Sequence, residues 1–175
     1  MDIYIWMLTF IIIFMLHNLE EIITIERWFQ KTYPRVKKRN PLFIQKQLKN
    51  NEQITTVQFS LVIFVFSLFV SLFILIAVVT QHDFIFLGVS LFFALNIFTH
   101  PLQSLYLRCY TPGVFTSIIL IIPYYTLYFY HFYNSDMFSL KSMIGAILMI
   151  VILILVFFLS HKIGKRWAKS HKDGK

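Results

Sequence analysis

Long apolar runs alternate with short polar breaks along this chain. Crossing the roughly 30 Å of bilayer hydrocarbon takes about 20 helical residues. Five runs reach that length, at 3–25, 57–80, 84–107, 114–133 and 140–161. In hydrocarbon each backbone N–H and C=O must be satisfied within its own segment, so the pattern predicts helices rather than open strands. The short links after the second, third and fourth runs force antiparallel neighbours. The expected fold is an all-α integral membrane bundle of five transmembrane helices. It forms a single domain over residues 1–161, with a basic loop at 26–56 and a basic tail at 162–175. The opening MDIYIWMLTFIIIFML has no basic leader and no small-residue cleavage site, and reads as a retained span.

The charges orient the bundle. Of the 16 Lys and Arg residues, all but Lys141 fall in the first loop, in the tail, or at Arg108 between spans three and four. With five spans these three regions share one side. The positive-inside rule makes that side cytoplasmic, with the N-terminus out and the C-terminus in. The expected location is the cell (plasma) membrane, crossed several times. The net charge of +8 then needs no nucleic acid: it forms a collar facing anionic membrane lipid. Trp28 and Trp167 are expected at the inner interface, and Trp6, Tyr124, Tyr125, Tyr128 and Tyr133 towards the outer half. Within the loop, Asn40 and Pro41 can start an interfacial helix over NPLFIQKQLKN; a solvated basic loop fits as well. Cys109 is the only cysteine, which excludes an intrachain disulfide and a thiolate-built metal site.

Polar residues inside the spans are the informative exceptions. In HNLEEIITIERW, residues 17–28, the spacing places His17, Glu20, Glu21 and Thr24 on one helix face. Asn96, Thr99, His100 and Gln103 repeat the pattern in the third span. Both spans run inwards. At 1.5 Å per residue His17 lies about 12 Å from its inner end and His100 about 10 Å. The two stripes therefore occupy one slab near the cytoplasmic side. Pro101 cannot donate to the Ile97 carbonyl and is expected to kink its helix. In the link RCYTPG, either Thr111 caps the fourth span with Pro112 at its first position, or Pro112-Gly113 forms a type II turn. Arg108 and Tyr110 lie beneath the slab, where Arg108 can pair with Glu21 or meet a headgroup. The bland alternatives are carboxylates that snorkel to water and a purely structural interhelical bond at Asn96 and His100. His82, His131 and His161 lie near span ends and read as ordinary.

HNLEE at 17–21, NIFTH at 96–100 and YTPG at 110–113 together resemble the HXXEE family of bacterial membrane proteins. The resemblance covers about residues 1–160 and implies His17, Glu20, Glu21, Asn96, His100, Tyr110, Pro112 and Gly113 as family positions. It implies no reaction, since the family is named for its motif.

Three functions fit the pattern. In the first, a membrane-embedded enzyme works at the cytoplasmic leaflet on a lipidic or amphipathic substrate. His17, Glu20, Glu21 and His100 can bind a divalent metal such as zinc, iron or manganese. Glu20, Glu21, His100 and Asn96 are its candidate catalytic residues, and Arg108, Tyr110, Pro112 and Gly113 serve substrate or structure. The spacing is not that of the HExxH peptidases. In the second, the protein is structural, with polar stripes that only join helices. In the third, a small proton-coupled transporter uses the same groups as a relay, and a homo-oligomer supplies what one copy lacks.

Overall fold

A computed structural model describes residues 3–37, 54–133 and 138–173. Among these the regular structure is helical throughout: α1 (Ile3–Lys31), α2 (Tyr33–Lys37), α3 (Thr56–Thr80), α4 (Asp83–Ala94) and α5 (Asn96–Leu107). A short α6 (Val114–Thr116) then widens into a π-helical turn (Ser117–Ile121) and continues as α7 (Ile122–Phe132), before α8 (Leu140–Asp173). Five stretches are long and apolar enough to cross a membrane: Ile3–Lys31, Thr56–Thr80, Asp83–Leu107, Val114–Phe132 and Leu140–Ala168. The segment considered as an interfacial helix at 40–50 lies outside the described residues.

Successive spans run in opposite directions, as their ends show. At one end Tyr4 donates to Gln81 Oε1 at 3.0 Å. At the other, the Thr56 N–H donates to Glu26 Oε2 at 2.6 Å. Small residues let the helices approach closely. A Cβ on Gly88 of α4 would lie 2.5 Å from Met149 Cβ, and one on Gly145 of α8 2.6 Å from the Phe84 ring. Their outer faces remain apolar and exposed, as at Leu68, Val79 and Leu155, which suits contact with lipid.

Aromatic residues expected towards the outer half pack against one another inside the bundle. Trp6, Tyr124, Tyr125 and Tyr128 are buried in the bundle core, where Trp6 packs edge-on against Tyr124 and Tyr128. Two of their polar tips are satisfied internally: Tyr124 donates to the Trp6 carbonyl and Tyr125 to the Ser90 carbonyl. Buried hydroxyls with partners inside the bundle have no need of the headgroup region.

The third span breaks earlier than its proline. Leu95 separates α4 from α5, and the Phe98 N–H returns three residues to its carbonyl at 3.0 Å. Pro101 both lacks an N–H and crowds the Ile97 carbonyl, so the distortion falls in the turn before it. In the fourth span the Ile122 N–H reaches back five residues to Ser117. That wide turn accommodates Pro123, which has no donor for the carbonyl four residues earlier.

Candidate metal centre

The link between the third and fourth spans folds back under α1 and carries half of the site. Thr111, Pro112 and Gly113 form a turn closed by the Val114 N–H on the Thr111 carbonyl at 3.2 Å. Gly113 has φ +83 and ψ −10, the values a type II turn requires at its third position. Thr111 is therefore not the helix cap. Its buried hydroxyl donates instead to the His100 carbonyl, at 3.5 Å. Trp28 donates Nε1–H to the Tyr110 carbonyl at 2.5 Å and so ties the link to the end of α1. Arg108 ends α5 in the left-handed region; it is exposed and forms no ion pair with Glu21 or any other described residue.

With glycine as its N-cap, α6 has no side chain of its own to satisfy its first N–H groups. Glu20 supplies the cap from α1. Its Oε1 accepts from the Tyr110 hydroxyl at 2.5 Å and from the Phe115 N–H at 3.2 Å. Its Oε2 accepts from the Thr116 N–H at 2.7 Å and from the Thr116 hydroxyl at 2.6 Å. A carboxylate has about four lone-pair positions, and all are occupied. The helix start and its neighbour Tyr110 thus take up the Glu20 acceptors. Burial, reinforced by the bond to Glu20, pushes the Tyr110 phenol up to about 12, so it stays a donor. Burial also raises Cys109, which keeps it a thiol rather than a ligand.

The Thr116 hydroxyl has one proton, and Glu20 takes it. The 2.8 Å contact between Thr116 Oγ1 and His17 Nδ1 therefore has the imidazole donating. This assigns the Nδ1–H tautomer to His17 and leaves Nε2 with a bare lone pair. His17 is 1% exposed, and its Nε2 is buried without a hydrogen-bond partner. The His100 ring lies across from it, with centroids 4.9 Å apart at 72°. The Pro112 carbonyl lies close to the His100 ring, yet buried Nδ1 makes no hydrogen bond of good geometry. Glu21 Oε1 is 3.5 Å from His100 Nε2.

His17, Glu21 and His100 each place one ligand atom within 4.8 Å of the others. Tetrahedral zinc with bonds of about 2.1 Å would need separations of roughly 3.4 Å, a closure of up to about 1.4 Å. Gly113 is packed between the two histidines, so that a Cβ there would lie 2.8 Å from His100 Cε1 and 2.9 Å from His17 Cε1. Asn96, at the start of α5, accepts from the Thr99 hydroxyl at 3.3 Å. Thr24 of the first stripe bonds back to the Glu20 carbonyl.

Beneath the cluster lies a cavity of about 170 Å³ whose polar lining is Glu21, Gln103, His100 and His161. At about 30 Å³ per water it has room for some five. Two residues escaped the sequence reading. Thr116 carried no signal beyond its place in the first turn after Gly113. His161 did carry one: like the two stripes, it lies towards the basic end of its span.

A family model described as "Protein of unknown function with HXXEE motif" matches residues 8–128. No curated protein and no solved structure matches the chain.

Proposed function

The chain belongs to the HXXEE family, which is grouped by its motif and not by a reaction, so the site itself must carry the reading: we propose a membrane-embedded, metal-dependent enzyme. His17 through Nε2, Glu21 and His100 hold a divalent cation such as zinc, iron or manganese, at the depth of the basic ends of the spans. Two imidazoles and one carboxylate leave an open coordination position, the arrangement of catalytic rather than structural sites. A cation there supplies Lewis acidity or an activated water at neutral pH. The positive-inside rule puts this end in the cytoplasmic leaflet. The substrate is amphipathic and is reached from the cavity under Glu21 and His100.

One observation carries this reading: His17 Nε2 is buried without a hydrogen-bond partner, in a cluster with His100 and a carboxylate that caps nothing. Helix glue would satisfy such groups, since an unpaired buried acceptor costs about 1–3 kcal/mol. A proton path to the other end would have to cross the Phe10, Phe14 and Phe93 layer that packs over His17.

Metal analysis of the purified chain tests the reading. Wild type should retain about one zinc, iron or manganese per chain, and His17→Ala, His100→Ala and Glu21→Gln about a tenth of that or less. Equal occupancy in all four proteins after metal loading would remove the proposal.

A further inference from the structure

α8 is pinned against α3 at its basic end. Ser160 is fully buried, and a Cβ on Gly164 would lie 2.5 Å from Val62 Cγ2. This setting turns His161, one residue from Ser160, towards the cavity it shares with Glu21 and His100. His161 Nδ1 lies 3.1 Å from the Phe157 carbonyl. A carbonyl only accepts, so Nδ1 carries the proton and Nε2 keeps its lone pair. The same His161 also lines a second, open hollow of about 410 Å³, together with Phe158, Lys162, Lys165 and Arg166. No carboxylate lines that hollow, and the three cations form no ion pair among the described residues. Phe158 and Leu155 beside it are strongly exposed and continue the hollow as an apolar track along α8.

We propose that this hollow binds the phosphate-type head group of an amphiphilic substrate, with His161 as the common wall between it and the His17–Glu21–His100 site. The placement rests on the enzymatic reading above. Two lysines and an arginine around one hollow match a multiply charged oxyanion better than a single carboxylate does. Apolar surface along α8 suits the attached chain. A groove of similar size, about 420 Å³, runs beside Arg27 and Lys31. It touches neither Glu21 nor His100, and the wall it shares with their cavity is Trp28, whose one N–H is taken by the Tyr110 carbonyl. It provides a charge-matched control.

Calorimetric titration of the full chain in dodecylmaltoside tests the pocket with octyl phosphate and inorganic phosphate. Octyl phosphate should bind wild type at one per chain. Lys162→Gln/Lys165→Gln should weaken it about tenfold or more, and Arg27→Gln/Lys31→Gln less than about twofold. Equal weakening by the two pairs would mean attraction to a basic surface only and would overturn the proposal. Inorganic phosphate binding as tightly as octyl phosphate would support the anion pocket and assign it to a soluble phosphate; clearly weaker binding assigns it to a lipid head group. Phosphorus NMR of bound octyl phosphate, with Mn²⁺ loaded into the chain, tests the link to the centre. Broadening is expected. Bound Mn²⁺ without broadening would overturn the shared site and leave the metal reading standing. Failure of Mn²⁺ to bind would instead fall on the metal reading, while the titration still tests the hollow.

Discussion

Gly113→Ala puts a methyl group where two imidazoles already meet. The backbone alone resists it: φ is +83, and an L-residue in the left-handed region costs about 1–2 kcal/mol. The side chain adds to this. Its Cβ would lie 2.8 Å from His100 Cε1, 2.9 Å from His100 Nδ1 and 2.9 Å from His17 Cε1. Ordinary carbon contacts are about 3.5–4.0 Å, so each ring would have to retreat by roughly 0.7 Å. His17 cannot do so freely, being 1% exposed and held at Nδ1 by Thr116. Overpacking of this kind costs about 1–3 kcal/mol, for a total of about 2–5 kcal/mol if the turn does not rearrange. Sites work within about 0.5 Å of their productive geometry, so the retreat should also separate the ligands.

The assay pairs thermal unfolding with zinc titration and uses Gly88→Ala as control. A Cβ on Gly88 would lie 2.5 Å from Met149 Cβ and 2.8 Å from the Ala146 carbonyl, with no positive φ and no contact with the site. Both variants should melt below wild type. Only Gly113→Ala should lose zinc affinity, by about 10–100-fold, the range for displaced support of a metal ligand. If Gly113→Ala binds zinc as wild type does, the close approach of the two rings does not exist. If Gly88→Ala loses zinc equally, the loss reflects a weakened bundle and not the turn.

Two further substitutions separate the roles within the first stripe. Glu20→Gln offers fewer acceptors to four donors and should lower the melting temperature by the equivalent of about 1–3 kcal/mol, with zinc stoichiometry still near one; loss of all zinc would return Glu20 to the ligand set. Thr116→Val removes the acceptor for His17 Nδ1–H and should weaken zinc binding about 10–100-fold, with Thr116→Ser near wild type. Nitrogen NMR of the His17 ring reads the tautomer directly, and an unchanged Nδ1–H signal in Thr116→Val would refute the hydroxyl's part.

The five spans were legible because each is an apolar run longer than the hydrocarbon is thick; their edges moved only where polar residues continue a helix, as from Ile25 to Lys31 in α1. The meeting of the His17 and His100 stripes was legible from depth, since rise per residue converts a position into a height. Rotation and partner choice were not legible. Nothing in the string HNLEE tells which glutamate faces the start of α6, because that depends on a glycine N-cap formed more than ninety residues later. Asn96 shares a face of α5 with His100 as the spacing predicts, but spacing does not tell that its amide oxygen accepts from Thr99. Nor was the burial of Tyr124 and Tyr125 legible from their type: internal carbonyls let them enter the core.

The geometry gives a physical reason for two adjacent glutamates after a histidine. Glu20 and Glu21 follow His17 by three and four residues, so both remain on its face. Successive residues are about 100° apart around the axis, and the two carboxylates therefore address different neighbours. Glu20 meets the start of α6, whose Phe115 and Thr116 N–H groups it caps. By filling that role it also holds the Thr116 hydroxyl, which in turn sets the His17 tautomer. Glu21 meets His100 and the cavity and keeps its oxygens for other work. Glu26 repeats the capping half of this logic one and a half turns later, at the start of α3, where no histidine stands in the preceding turn. About one helical turn thus carries an imidazole, the carboxylate that orients it through Thr116, and a second carboxylate. Shortening Glu20 by a methylene would withdraw the cap and the orienting hydroxyl together. Shortening Glu21 would leave both in place and move only the carboxylate that faces the second histidine.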